Sequence, residues 1–373
     1  MLSRIINTVI SWVVGATFIL SGIIKLNDPT GTAIKLEEYF EVFSTDFSPF
    51  FEHFVPYSMQ MSIFLSTLEV CLGLALIIQY RKVFTLWGLF LILLFFGFLT
   101  FYSAQFDKVT DCGCFGDAIP LTPWESFFKD LALLVLTGYL LFQKRERSNY
   151  QNVTTTSLML ICLSACVGSA LYSLQHLPFR DFRPYAVGLN IEKQMSGSVP
   201  CEHVYIMEKD GEEVQMKEYP YQDSSYIFVD MKTINEEDCM PKITDYYISD
   251  REGNDVTRDT FEGQKLLIII ESVAKAKESE KTLAPLVDLL DKLPKEVEAI
   301  VYTADPDHIE AYLNDHSLKV KYYIADGTLL KAMIRSNPGL ILLKDAEVIK
   351  KWHVNDTPSL PKLEKFLVKE VVK

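Results

Sequence analysis

Long apolar stretches constrain this chain most, because a helix needs roughly 20 mostly apolar residues to cross the hydrocarbon core of a bilayer. Ile5–Ile24, Met59–Ile78 and Val83–Tyr102 each meet that requirement. Ser157–Leu174 carries no charge and makes a fourth span. Trp124–Phe142 is the weakest of five, since Glu125, Lys129 and Asp130 occupy its first turns before the sequence runs apolar from Leu131. Ile5–Ile24 reads as a retained span rather than a cleaved signal: Ser-Gly-Ile-Ile-Lys at its end lacks the small-x-small cleavage pattern.

If the five segments alternate, Arg4, Arg81, Lys82, Lys144, Arg145 and Arg147 share one side. Glu37, Glu38, Glu41, Asp107, Asp111 and Asp117 fall on the other. Lysine and arginine are retained on the cytoplasmic face, so the N-terminus is expected inside and everything after Gln175 outside. The expected localisation is a bacterial inner membrane, with the C-terminal part in the periplasm, where cysteine pairs can stay oxidised. A formal net charge of −13, with no long Lys/Arg run, argues against a nucleic-acid partner.

The cysteines fall into two groups. Cys71, Cys162 and Cys166 lie in apolar runs and are expected to be inert core or lipid-facing residues. Cys112, Cys114, Cys201 and Cys239 lie in polar segments. The loop before Trp124 reads Asp111-Cys112-Gly113-Cys114-Phe115-Gly116-Asp117, and Gly113 gives a Cys-x-Cys pair the freedom to turn tightly. A ring this small is strained, and strain favours exchange with other thiols. The same pair could instead staple the loop or begin a metal site, although no nearby His or third Cys completes one. Cys201 and Cys239 read as a stabilising disulfide, with a relay to Cys112 and Cys114 as the alternative.

Glu69 sits near the middle of its helix, where an isolated carboxylate is costly. It is expected either to pair with a lysine such as Lys25 or to be protonated and hydrogen-bonded. Lys25, Glu69 and Asp130 are therefore candidates for a polar cluster beneath the cysteine loop, able to serve proton transfer.

These residues carry a resemblance. Ser21-Gly22-Ile23-Ile24-Lys25-Leu26, Glu69 followed by Gly73, Cys112-Gly113-Cys114-Phe115-Gly116 and Lys129-Asp130 resemble the DoxX-like and methylamine-utilisation MauE-type membrane proteins. The resemblance covers about residues 1–145 and implies a four-helix membrane bundle, to which this chain adds a fifth, connecting helix within 146–178. It also implies disulfide formation or maturation of exported partners, and in some relatives quinone-linked sulfur chemistry.

Beyond that helix, 179–262 suggests a β-rich segment with turns at Asp210-Gly211 and Glu252-Gly253-Asn254. From 263 to 373 buried strands alternate with helices: Lys265–Glu271, Ser279–Leu293, Glu298–Thr303, Pro306–Asp315, Val320–Ala325, Thr328–Arg335, Gly339–Lys344 with Glu347–His353, and Leu360–Val368. This order resembles a thioredoxin-like α/β fold, which implies a cis-proline at Pro338. Where that fold carries Cys-x-x-Cys, this chain has Ser272-Val273-Ala274-Lys275-Ala276-Lys277. Without a thiol there, binding or positioning an exported protein partner is the expected role of the domain.

The reading is thus an integral membrane, redox-associated protein exchanging disulfides through Cys112 and Cys114, with a quinone as candidate electron acceptor. The alternatives are a non-enzymatic anchor or assembly protein and a metal-handling membrane protein.

Overall fold

A computed structural model of the chain describes residues 2–109, 113–143, 151–197, 199–209, 211–223, 225–235, 239–279 and 283–367. Asp111, Cys112, Lys144, Arg145, Arg147 and Asp210 lie outside them. The chain divides into two compact units, Met1–Phe182 and Arg183–Lys373.

The first unit is helical: α1 (Leu2–Asn27), α2 (Pro29–Asp46), α3 (Ser58–Ile77), α4 (Lys82–Phe106), α5 (Pro123–Phe142) and α6 (Val153–Gln175). Among the described residues, four segments are long and apolar enough to cross a membrane: Leu2–Asn27, Pro49–Ile77, Lys82–Phe106 and Val153–Gln175. This is a multi-pass membrane protein. The fifth candidate, α5, is a full 20-residue helix but is not among those four. Its early Glu125, Lys129 and Asp130 keep its start polar. The segment between the first two spans holds α2, which the hydrophobic pattern alone did not suggest. Asp28 caps it by accepting from the Gly31 amide, and Pro29 opens it.

In the bundle, α1 packs most extensively on α3, α4 on α5, and α6 against α3. Val14, Phe18, Leu76, Leu89 and Leu93 are in its apolar core. Glycine sets how close α1 and α3 come. A Cβ on Gly73 would lie 2.6 Å from the Gly15 carbonyl oxygen, and one on Gly22 would lie 2.7 Å from that of Ser66. Lipid supplies little hydrophobic drive between helices, so backbone-to-backbone packing of this kind is a main source of their cohesion.

The second unit contains a three-stranded antiparallel sheet of order β2-β1-β3, built from β1 (His203–Lys209), β2 (Glu212–Met216) and β3 (Ile227–Thr233). It also contains a six-stranded sheet of order β4-β7-β6-β5-β8-β9. These strands are β4 (Ile248–Ser249), β5 (Gln264–Ile270), β6 (Val297–Thr303), β7 (Lys321–Ala325), β8 (Gly339–Lys344) and β9 (Glu347–His353). β5, β6 and β7 run parallel, while β4, β8 and β9 are antiparallel to their neighbours. Leu266 to Ile270 are all buried, as expected for a strand covered on both faces. Of the expected helix Ser279–Leu293, Ala284–Asp291 is observed with Pro285 in its first turn, residues 280–282 lie outside the described ones, and a separate short helix, Val273–Lys277, comes before it. Proline has no amide to donate and so suits a first turn. The Asn337-Pro338 peptide is cis, and Cys201 and Cys239 are joined in a disulfide.

Candidate functional site

Helical spacing puts Ser21 and Lys25 on one face of α1, one turn apart. Glu69 on α3 meets both. The Lys25 ammonium lies 2.5 Å from Glu69 Oε1, and the Ser21 hydroxyl lies 2.7 Å from Oε2. Lys25 is 7% exposed and Glu69 1%, so this is a fully internal ion pair. Phe96 of α4 covers it, its ring centre 4.6 Å from the ammonium.

The loop after α4 closes over this pair. The Ser21 hydroxyl is also 2.8 Å from the Cys114 carbonyl oxygen, and since it has one proton it can donate to only one acceptor at a time. Gly113 and Gly116 take left-handed conformations, φ +62° and +50°, that a side chain would resist. Phe115 is buried, and the Lys129 ammonium lies 5.0 Å from its ring centre. On α5, Thr122 and Glu125 form a capping box that fixes where the helix starts. Ser126 and Asp130 follow one turn apart, and both are buried. Asp130 pairs with Lys129 at 2.8 Å and accepts from Thr100 at 3.4 Å.

The structure therefore brings Cys114, Lys25, Glu69 and Asp130 to the walls of one narrow cleft. Cys112 lies outside the described residues. A second cleft, mostly apolar, shares Lys25, Glu69 and Cys114 and is lined further by Leu36, Tyr39 and Leu99. Ser21, Ser126 and Thr100 belong to the same constellation, though the residue pattern had not marked them as site residues, and Lys129 joins it beside Asp130. A signal was present, because Ser21 precedes Lys25 and Ser126 precedes Asp130 by one helical turn.

Burial pushes the Cys114 thiol above its ordinary range, while the Lys129 ammonium pulls it back and the Asp130 carboxylate raises it. The thiolate is the nucleophile, so its fraction at neutral pH is small and grows about tenfold per pH unit below the pKa. In a Cys112→Ser protein, alkylation of Cys114 by maleimide should keep accelerating above pH 9. Lys129→Gln, which removes the cation, should slow it at every pH. A rate that levels off below pH 8 would show that burial does not govern this thiol.

In the second unit, the Asn337 side chain donates to the Ser272 carbonyl at 2.7 Å, and the Val273 amide donates to Asp305 Oδ2 at 3.1 Å. The start of the helix after β5 is thus held by hydrogen bonds, and it has no thiol.

Residues 3–143, which include this lysine–glutamate pair and the cysteine loop, match the family described as methylamine utilisation protein MauE. Residues 201–236 match a domain of unknown function, DUF8463. The chain is similar to Protein TlpB of Flavobacterium psychrophilum, at 29% identity over 151 residues, or 39% of either chain. The chain thus covers well under two thirds of that relative's length. No solved structure matches it.

Proposed function

We propose that this protein exchanges disulfides with exported protein partners through Cys112 and Cys114. The observation that carries the reading is the docking of the Cys114 backbone on Ser21, directly above the buried Lys25–Glu69 pair. A thiol loop seated on internal acid–base groups has a route for the protons that accompany thiol chemistry. In the reaction, a partner's dithiol becomes a disulfide as the Cys112–Cys114 disulfide becomes a dithiol. Reoxidation of the loop then passes two electrons and two protons to a membrane quinone, leaving a quinol.

The proposed orientation places this loop and the second unit in the periplasm, which requires α5 to cross the membrane with the other four long helices. A disulfide at Cys201–Cys239 supports an oxidising compartment for that unit. The order of β5 to β9, with the cis Asn337-Pro338 peptide before β8, supports a thioredoxin-like domain. Lacking a thiol at Ser272, it would serve to bind or position the partner.

Trapping tests this reading. Exchange proceeds through a mixed disulfide, and with Cys112 or Cys114 replaced by Ser the remaining thiol has no neighbour to release it. One of the two variants should accumulate a covalent adduct with an exported protein that disappears on reduction. If neither does, the loop is a staple and the protein an anchor. Labelling of Cys114 in intact cells by a membrane-impermeant maleimide checks the orientation, and labelling only after lysis would reverse it.

A further inference from the structure

β3 lies at one edge of the three-stranded sheet, with β1 on its inner side. Ile227 to Lys232 are all exposed, and Ile227, Phe228, Val229 and Met231 among them are large and apolar. An open edge is a template for a further strand. The Ile234 amide donates to the Glu202 carbonyl at 2.8 Å. Backbone groups alternate sides along an antiparallel strand, so Lys232 and Asp230 also turn theirs toward β1, while Met231 and Thr233 turn theirs to the open edge. The Met231 amide is met there by the carboxylate of its neighbour Asp230, at 2.8 Å. An acidic side chain thus covers the edge amide while β3 is unpaired.

We propose that this edge pairs with β3 of a second copy of the chain, antiparallel and centred on Met231, joining two three-stranded sheets into one of six. The charges around Met231 are self-complementary in that register. With Met231 opposite Met231 of the second copy, Asp230 stands opposite Lys232 of the second copy, and Lys232 opposite Asp230 of the second copy. Directly opposed residues share a face, so both contacts are pairs of opposite charge, which stabilise a strand pair. Centring the pair on Asp230 or on Lys232 would instead set like charges face to face. In the favoured register each Met231 amide donates to the other Met231 carbonyl, and Asp230 leaves the amide for the lysine.

One strand pair is a small contact beside the roughly 1,000 Å² that a free dimer needs. Each copy is held in the bilayer by its own spans, and that confinement raises the effective concentration of one β3 for another.

The test uses the full chain with Met231→Cys, in membranes of expressing cells, treated with copper phenanthroline and digested without reduction. Residues paired in this way have Cα atoms about 5.5 Å apart, within the range a disulfide spans. Mass spectrometry should find two copies of the peptide spanning residue 231 joined to each other. Glu213→Cys, on β2 at the opposite edge, should give the corresponding link at least about fivefold less. Adding Lys232→Asp to Met231→Cys sets carboxylates opposite each other and should lower the link about fivefold. Adding Asp230→Lys as well should restore it, because the charges are then exchanged rather than removed. All four positions are exposed, so these variants leave the fold intact. Absence of the link at residue 231, equal links at 231 and 213, or no recovery in the charge-exchanged protein would overturn the proposal. So would a link from residue 231 to a different polypeptide in its place, which would make this edge the dock for a partner's strand.

Discussion

Replacing Lys25 with Met lowers the stability of the membrane unit by about 3–5 kcal/mol, because it leaves Glu69 charged, internal and without its cation. Glu69→Leu does the same to Lys25. The double replacement, Lys25→Met with Glu69→Leu, recovers most of that loss, since matched apolar side chains need no compensation in a dry interior. Thermal unfolding of the purified protein in detergent measures the cycle. Additive losses in the double variant would mean that the two groups do not depend on each other. Stability and exchange should part company in the double variant. If the pair serves proton transfer, the double variant folds well yet turns over at least about tenfold more slowly.

Adding a single methyl group at Gly73 forces α1 and α3 apart. Gly73→Ala places a carbon 2.6 Å from the Gly15 carbonyl oxygen, a backbone atom that no rotamer change can move. Overpacking of this kind costs about 1–3 kcal/mol, and here it also lengthens the contacts of Lys25 and Ser21 with Glu69. The protein holds its own controls. A Cβ at Gly97 or Gly168 meets nothing within 4 Å. Gly97→Ala and Gly168→Ala should therefore be neutral or stabilising by up to about 1 kcal/mol, as alanine is the better helix former. Equal melting shifts for Gly73→Ala and Gly97→Ala would show that the close approach of α1 and α3 is not a source of cohesion.

Much of the fold could be read from residues whose signals are local. Pro306–Asp315, Gly339–Lys344 and Glu347–His353 have the bounds expected, because Pro306 opens the helix and Asp345-Ala346 turns the hairpin with positive φ. α2 was missed because its apolar residues are interleaved with Lys35, Glu37, Glu38 and Glu41, although Asp28-Pro29 is a helix start. Of Ser279–Leu293, Ala284–Asp291 is helical, and Pro285 in its first turn is the local start signal. In the site, a mid-helix carboxylate must be answered by something, so Glu69 and a lysine partner were within reach of the residue pattern. The Ser21 contact with the Cys114 backbone was not. It depends on the rotation of packed helices about their own axes, which spacing along one helix does not specify.

The Lys25–Glu69 pair also bears on how the chain enters the bilayer. The two residues are 44 positions apart, so Lys25 is synthesised before Glu69. Lys25 ends α1, and its long stem can carry the ammonium to the headgroups while it waits. Glu69 has no such escape, and a lone charge at that depth costs roughly 2.5–3.5 kcal/mol on insertion scales. Drawing the waiting lysine inward removes that penalty at the moment α3 arrives. The contact that holds two helices together in the finished protein is thus also suited to drawing the later one to the earlier during insertion.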